Sequence, residues 1–191
     1  IGPISSTTKW PAVSPADRAA IAPAAVLEMS PIARIATASY LLGALHPDDS
    51  PGDAARRLLL AVPDLLGSSR RTGHYAHRLA AAWRRRPTPD LVDAIDTALV
   101  LLADHELATS TLAVRIAASV RTSPSVAFAA GLASMEGALH GAASAEAHRF
   151  LAMCVEMEPA TVIARLRSGR RPIAGFGHKV YRGVDPRFPP L

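Results

Sequence analysis

Apolar residues return at intervals of three and four along most of this chain, and almost no stretch alternates apolar with polar residues. That periodicity belongs to amphipathic helices, so the predicted fold class is all-α. Ser30-Pro31 supplies an N-cap followed by proline at the first helical position. It opens a stripe through Ile32, Ile35, Ala36, Ser39, Tyr40 and Gly43. The segment from His46 to Gly52 breaks that helix. Helices are then expected over 53–66 and 74–83, the second ended by Arg86-Pro87-Thr88-Pro89. Asp90 is placed as the cap of the next, with Val92, Ile95, Leu99 and Leu102 on one face. Further helices are expected over 109–120, from Ser123-Pro124 to Met135, 144–157 and 159–167, with irregular chain beyond Gly169.

Composition narrows the class. The 191 residues are 49% hydrophobic and 19% charged, enough apolar material to build a core, and Cys154 is the sole cysteine, so no disulfide framework exists. A lone cysteine fits a reducing compartment and a cytoplasmic setting. No apolar run reaches the roughly 18 residues needed to cross a bilayer, and the first residues lack a leader pattern, so no membrane association is expected. The net charge is +5, carried by 19 Arg and 2 Lys. Arginines concentrate between Arg56 and Arg86, but no aromatic-interleaved strand or recognition helix accompanies them. A solvated helix face is therefore the expectation there, rather than a nucleic-acid partner.

Three histidines stand in turns beside glycine or carboxylates: His105 in Ala-Asp-His-Glu, His140 in Leu-His-Gly, and His178 in Gly-Phe-Gly-His. Imidazole can donate, accept or carry charge near neutral pH, which suits a site that polarises carbonyl oxygens. Asp104, His105 and Glu106 are adjacent and project to different sides of a helix, so they do not converge on an ion, and no metal is expected. Cys154, in the apolar run Leu151 to Val155, is expected to be inert core.

The blocks Ala103-Asp104-His105-Glu106, Ser110-Thr111, Leu139-His140-Gly141, Gly175-Phe176-Gly177-His178-Lys179-Val180-Tyr181 and Asp185-Pro186-Arg187 occur in an order and at intervals that resemble the citrate synthase family. The likeness covers roughly Asp90 to Arg187, with a weaker echo from Pro31 to Asp48. It implies a multi-helix fold in which residues 1–140 form part of a large helical domain and 141–191 the beginning of a small one.

The resemblance also implies a Claisen-type condensation of acetyl-CoA with oxaloacetate, followed by thioester hydrolysis to citrate and coenzyme A, with no cofactor beyond that substrate. By the family pattern His140 matches the donor to the enolate oxygen and His178 the histidine that polarises and protonates the ketone. His105 and Arg187 match oxaloacetate ligands. The run Ile173, Ala174, Gly175, Phe176 and Gly177 matches the segment that wraps coenzyme A, and a homodimer is implied. The small-residue helices at 109–120 and 124–135 are the expected interface.

Some positions depart from the family. Leu102, Ala108 and Ser144 stand where many relatives carry histidine, asparagine and asparagine. The family's carboxylate base lies well downstream of Asp-Pro-Arg, and four residues follow Arg187 here, so an incomplete enzyme is expected. Two alternatives stay open beside citrate synthesis: a 2-methylcitrate synthase using propionyl-CoA, and a non-catalytic binder of carboxylates or coenzyme A.

Overall fold

The computed structural model describes residues 13–103, 107–170, 173, 175–176, 183–187 and 189. The described residues fold into helices α1 (Pro15–Val26), α2 (Pro31–Leu45), α3 (Pro51–Leu65), α4 (Tyr75–Trp83), α5 (Pro89–Leu101), α6 (Thr109–Ser119), α7 (Pro124–Met135), α8 (Ala143–Glu156) and α9 (Pro159–Ser168), with no strand among them. The chain divides into two compact units, one ending at Ala133 and one beginning at Ser134.

One local device starts most of these helices: a side chain that can accept a hydrogen bond, followed by proline. Ser14, Ser30, Ser50 and Thr88 each accept from the backbone N–H three residues on, and Glu158 accepts from Ala160 and Thr161. Each is followed by a proline whose missing N–H costs nothing in the first turn. The device corrects two expected boundaries. α3 starts at Pro51 rather than at residue 53, because Ser50-Pro51 repeats the Ser30-Pro31 arrangement. The cap of α5 is Thr88, whose hydroxyl accepts from Leu91 N–H at 3.3 Å, and Asp90 lies in the first turn.

In the first unit α1, α2 and α3 pack mutually around Ile21, Ala24, Ala38, Leu42, Ala61 and Leu65, with Ile35 and Leu58 against them. α4 packs on α3 and α5. The buried face of α2 therefore runs through Ala38, Ser39 and Leu42. Tyr40, expected inside, is 53% exposed because the stripe rotates away from it. α7 meets α2 closely: Ser39 Oγ donates to the Ser125 carbonyl at 2.8 Å, and a Cβ on Gly43 would overlap the Ser125 side chain. Gly131 plays the same part toward Val114 of α6.

In the second unit α8 packs on α9, burying Phe150 and Val162. Cys154 is half-buried rather than core, because α8 turns its Phe150 face inward and leaves Leu151 and Val155 exposed.

Candidate functional site

In the second unit three of the nominated residues, His140, Gly175 and Phe176, meet at α8. The turn before it is built by successive backbone bonds, His140 N–H to the Gly137 carbonyl at 2.9 Å and Ala143 N–H to the His140 carbonyl at 3.0 Å. A Cβ on Gly141 would sit 2.6 Å from the Met135 carbonyl oxygen, closer than real Cβ atoms come, so glycine there lets the turn close. These bonds fix half-buried His140 just ahead of the N-terminal end of α8, where the helix dipole favours negative charge.

Gly175 and Phe176 lie on the same helix. The Phe176 ring meets that of Phe150 edge-to-face, with centroids 5.8 Å apart and planes at 86°. Gly175 adopts φ +90°, a conformation disfavoured for side chains, and its missing Cβ would stand 3.1 Å from Cβ of Ala147. Ala147 lies four residues into α8, about 6 Å along the axis from Ala143. α8 thus carries His140 at its head and Gly175 and Phe176 on its first two turns. The Phe176 ring is nonetheless 71% exposed, leaving a face that a ligand can cover.

Arg187 is held by its own turn. Asp185 Oδ1 accepts from the Arg187 backbone N–H and from Nε, both at 2.9 Å, while Oδ2 accepts from Nη2 at 2.6 Å. The fork of the guanidinium is thereby locked in one orientation. His105, Ala174, Gly177 and His178 lie outside the described residues.

The first unit holds polar chemistry that no spacing in the sequence announced. Asp17, 3% exposed, accepts from His46 Nε2 at 2.5 Å and from Arg57 Nη1 at 3.1 Å. Arg57 also donates Nε and Nη2 to Asp49 at 2.8 and 3.2 Å. Burial alone would push the Asp17 carboxyl up, but hydrogen bonds from His46, Ser14 and Arg57, with the Arg57 charge, hold it below the usual carboxylate range. The Arg57 hydrogen bond likewise depresses Asp49, and the two carboxylates raise Arg57 in return, Asp49 foremost. A small cleft lined by Gly43, His46, Asp49, Arg57, Ser125 and Phe128 opens beside this network. The arginine facing it is already engaged by two carboxylates, which marks the network as a clamp between helices.

The run of arginines from Arg56 to Arg86 is not the uniformly solvated face expected. Arg78 is 3% exposed and donates to the Leu60 carbonyl at 3.0 Å, and Arg57 is three-quarters buried within its clamp. Arg84, Arg85 and Arg86 do stand in solvent. Among the described residues no group of three or more His, Cys, Asp and Glu could hold a metal ion, and no helix is long and apolar enough to cross a membrane.

Residues 13–191 match the family described as citrate synthase, C-terminal domain. Citrate synthase 2 of Bacillus subtilis is 31% identical over 180 residues, covering 82% of this chain and 48% of that protein. The citrate synthases of Saccharolobus solfataricus and Thermoplasma acidophilum are each 35% identical over 114 residues, covering 57% of this chain and 29% of theirs. The chain spans less than half the length of these curated relatives.

Proposed function

The chain belongs to the citrate synthase family, and from that premise we propose that it supplies part of the site that condenses acetyl-CoA with oxaloacetate to citrate and coenzyme A. The observation that carries the reading is the convergence on α8: His140 fixed at its head, and Gly175 and Phe176 lying on its first turns.

Removing a proton from the thioester methyl group is difficult because the enolate is unstable, so a donor must meet its oxygen as charge develops. His140 is that donor, beside a helix terminus whose dipole acts in the same sense. A carboxylate base, which the family pattern puts downstream of Asp-Pro-Arg, takes the proton. The enolate carbon then attacks the keto carbon of oxaloacetate, forming the new C–C bond while the C=O pair moves to oxygen, and His178 delivers a proton to that oxygen. Arg187, pre-aimed by Asp185, and His105 grip the carboxylates of the dianion. The segment Ile173, Ala174, Gly175, Phe176 and Gly177 covers coenzyme A. Water finally adds to the citryl thioester carbon and the C–S bond breaks, releasing the thiol.

In the full-length protein, free thiol should form from acetyl-CoA only when oxaloacetate is present, and His140→Ala should slow it by about 10²–10³. No thiol release from the intact wild-type protein would end the proposal. Propionyl-CoA in the same assay separates 2-methylcitrate synthesis, since one methylene is worth only about 1–3 kcal/mol of discrimination.

A second reading, binding without turnover, draws on α6: its N-cap is Ala108 and makes no side-chain cap, where many relatives place an asparagine. Calorimetric binding of oxaloacetate with no thiol release would select it. The partner we propose is a second copy of this chain. α6 buries none of its residues, and Leu112, Ile116 and Val120 form an exposed stripe at four-residue spacing. Sedimentation should give a dimer that Ile116→Glu converts to monomer; a monomeric wild type would remove the assignment.

A further inference from the structure

Four guanidinium groups from four different segments of the first unit meet at the C-terminal end of α3, around a single carboxylate. Asp64, whose side chain is 4% exposed, receives Arg18 Nε at 3.1 Å and Arg71 Nη1 at 2.9 Å on Oδ2, and Arg78 Nη2 stands 3.5 Å from Oδ1. Arg34 reaches the same place, donating Nη1 to the Leu65 carbonyl at 3.1 Å and Nη2 to the Leu27 carbonyl at 3.3 Å. Four positive charges therefore face one negative charge and a helix C-terminus equivalent to about half a charge. Among the described residues Asp64 is the one carboxylate within ion-pair distance of Arg18, Arg71 and Arg78.

The four arginines divide by exposure. Arg34 and Arg78 are framework: they tie down carbonyls of α3 and the end of α1, and among the described residues the buried Nε of each, like Asp64 Oδ1, has no hydrogen-bond partner. Unmet donors in a poorly solvated place strengthen the positive field there. Arg18 and Arg71 are different. Their side chains are 32% and 55% exposed; Arg18 donates Nε to Asp64, and Arg71 is ion-paired with it through Nη1. Their remaining donors have no acceptor among the described residues. Arg70, exposed, precedes Arg71 in the loop between α3 and α4. Gly67 and Gly73 bound that loop at φ +88° and +104°, with open space where their side chains would be.

We propose that Arg18, Arg70 and Arg71 form a binding site for a small, multiply charged phosphate anion, taken free from solution. A single carboxylate is already present as Asp64 and leaves the cluster about three charges in excess. A compact anion of several charges brings it near neutrality and offers enough oxygens for three separate forks. The inference stands apart from the condensation chemistry, since it uses none of the residues placed in that reaction.

The test is isothermal titration of the full chain with tripolyphosphate, against sodium chloride of equal ionic strength. One anion per chain is expected, bound about tenfold or more weakly by Arg71→Ala and by Arg71→Gln, with the far-ultraviolet circular dichroism of both variants unchanged. The triple variant Arg84→Ala, Arg85→Ala, Arg86→Ala, which removes an equally basic exposed run elsewhere, should bind as the wild type does. Absence of binding, retention of affinity in both Arg71 variants, or equal weakening by the triple variant would overturn the site. Arg71-dependent sedimentation with vesicles carrying a phosphorylated lipid headgroup would overturn the assignment to a free anion.

Discussion

Replacing Asp17 by alanine removes the acceptor at the centre of the clamp that joins α1, the end of α2 and α3. Asp17 is 3% exposed and takes one hydrogen bond from His46 at 2.5 Å and one from Arg57 at 3.1 Å. Removing one member of a buried charged pair costs about 3–5 kcal/mol when the partner is left stranded. Here the partners are not fully stranded. His46 and Arg57 side chains are each 27% exposed, and Arg57 keeps its bidentate contact with Asp49. The expected cost is therefore about 2–3 kcal/mol at neutral pH. With a urea slope of about 2–3 kcal/mol/M, the midpoint of the first unit's transition should fall by roughly 1 M.

Asp17→Asn, which keeps the volume and loses the charge, adds the pH test. The folded-state pKa of Asp17 lies below its ordinary 3.8. The stabilisation from its ionised form is present above 3.8 and disappears as pH falls through the depressed folded value. The gap between wild type and Asp17→Asn should hold steady from neutral pH down to about 5 and close below 3.8. A negligible midpoint shift at neutral pH, or a gap that widens in acid, would refute the clamp.

Three other perturbations test separate parts of the structure. Gly43→Ala places a Cβ into the Ser125 side chain, so overpacking of about 1–3 kcal/mol is expected, with Ser125→Gly restoring much of it; equal thermal melting of wild type and single variant would contradict the α2–α7 approach. Gly175→Ala forces a side chain into φ +90° against Ala147, and in the full-length enzyme it should raise KM for acetyl-CoA more than it lowers kcat; unchanged KM would detach this segment from coenzyme A. Tyr75 donates to the Leu59 carbonyl at 2.9 Å, and burial pushes its hydroxyl up to about 12, so one phenolate should appear late in an ultraviolet titration. Since the proton is held more tightly in the folded state, that contribution is complete below pH 10 and fades as pH rises towards about 12; Tyr75→Phe should flatten this alkaline loss.

What the sequence made legible is what short spacing controls. A cap followed by proline is a three-residue signal, and it correctly places the starts of α2, α7 and α9. The same rule, applied to Ser14-Pro15, Ser50-Pro51 and Thr88-Pro89, gives the start of α1, where no helix was expected, and corrects those of α3 and α5. His140-Gly141 was legible for a related reason: the turn needs a missing Cβ beside Met135, and glycine advertises that locally. Exposure was less legible. Val92, Ile95, Leu99 and Leu102 have helical spacing, yet α5 buries no residue, because periodicity identifies an apolar face without saying whether this chain or another surface covers it.

The polar clusters were the least legible, and their geometry explains why. Asp17 meets His46 and Arg57 across intervals of 29 and 40 residues, and Asp64 meets Arg18 across 46. No helical or strand period links such positions. Only the packing of α1, α2 and α3 around Ile21, Ala38 and Leu65 brings them together. In sequence, Arg57, Arg71 and Arg78 belong to one basic stretch. In the fold they part into a clamp, an exposed edge and a buried support. The apolar core thus decides which charges become structural and which stay available to a ligand, and an arginine run cannot be assigned a role until that core is known.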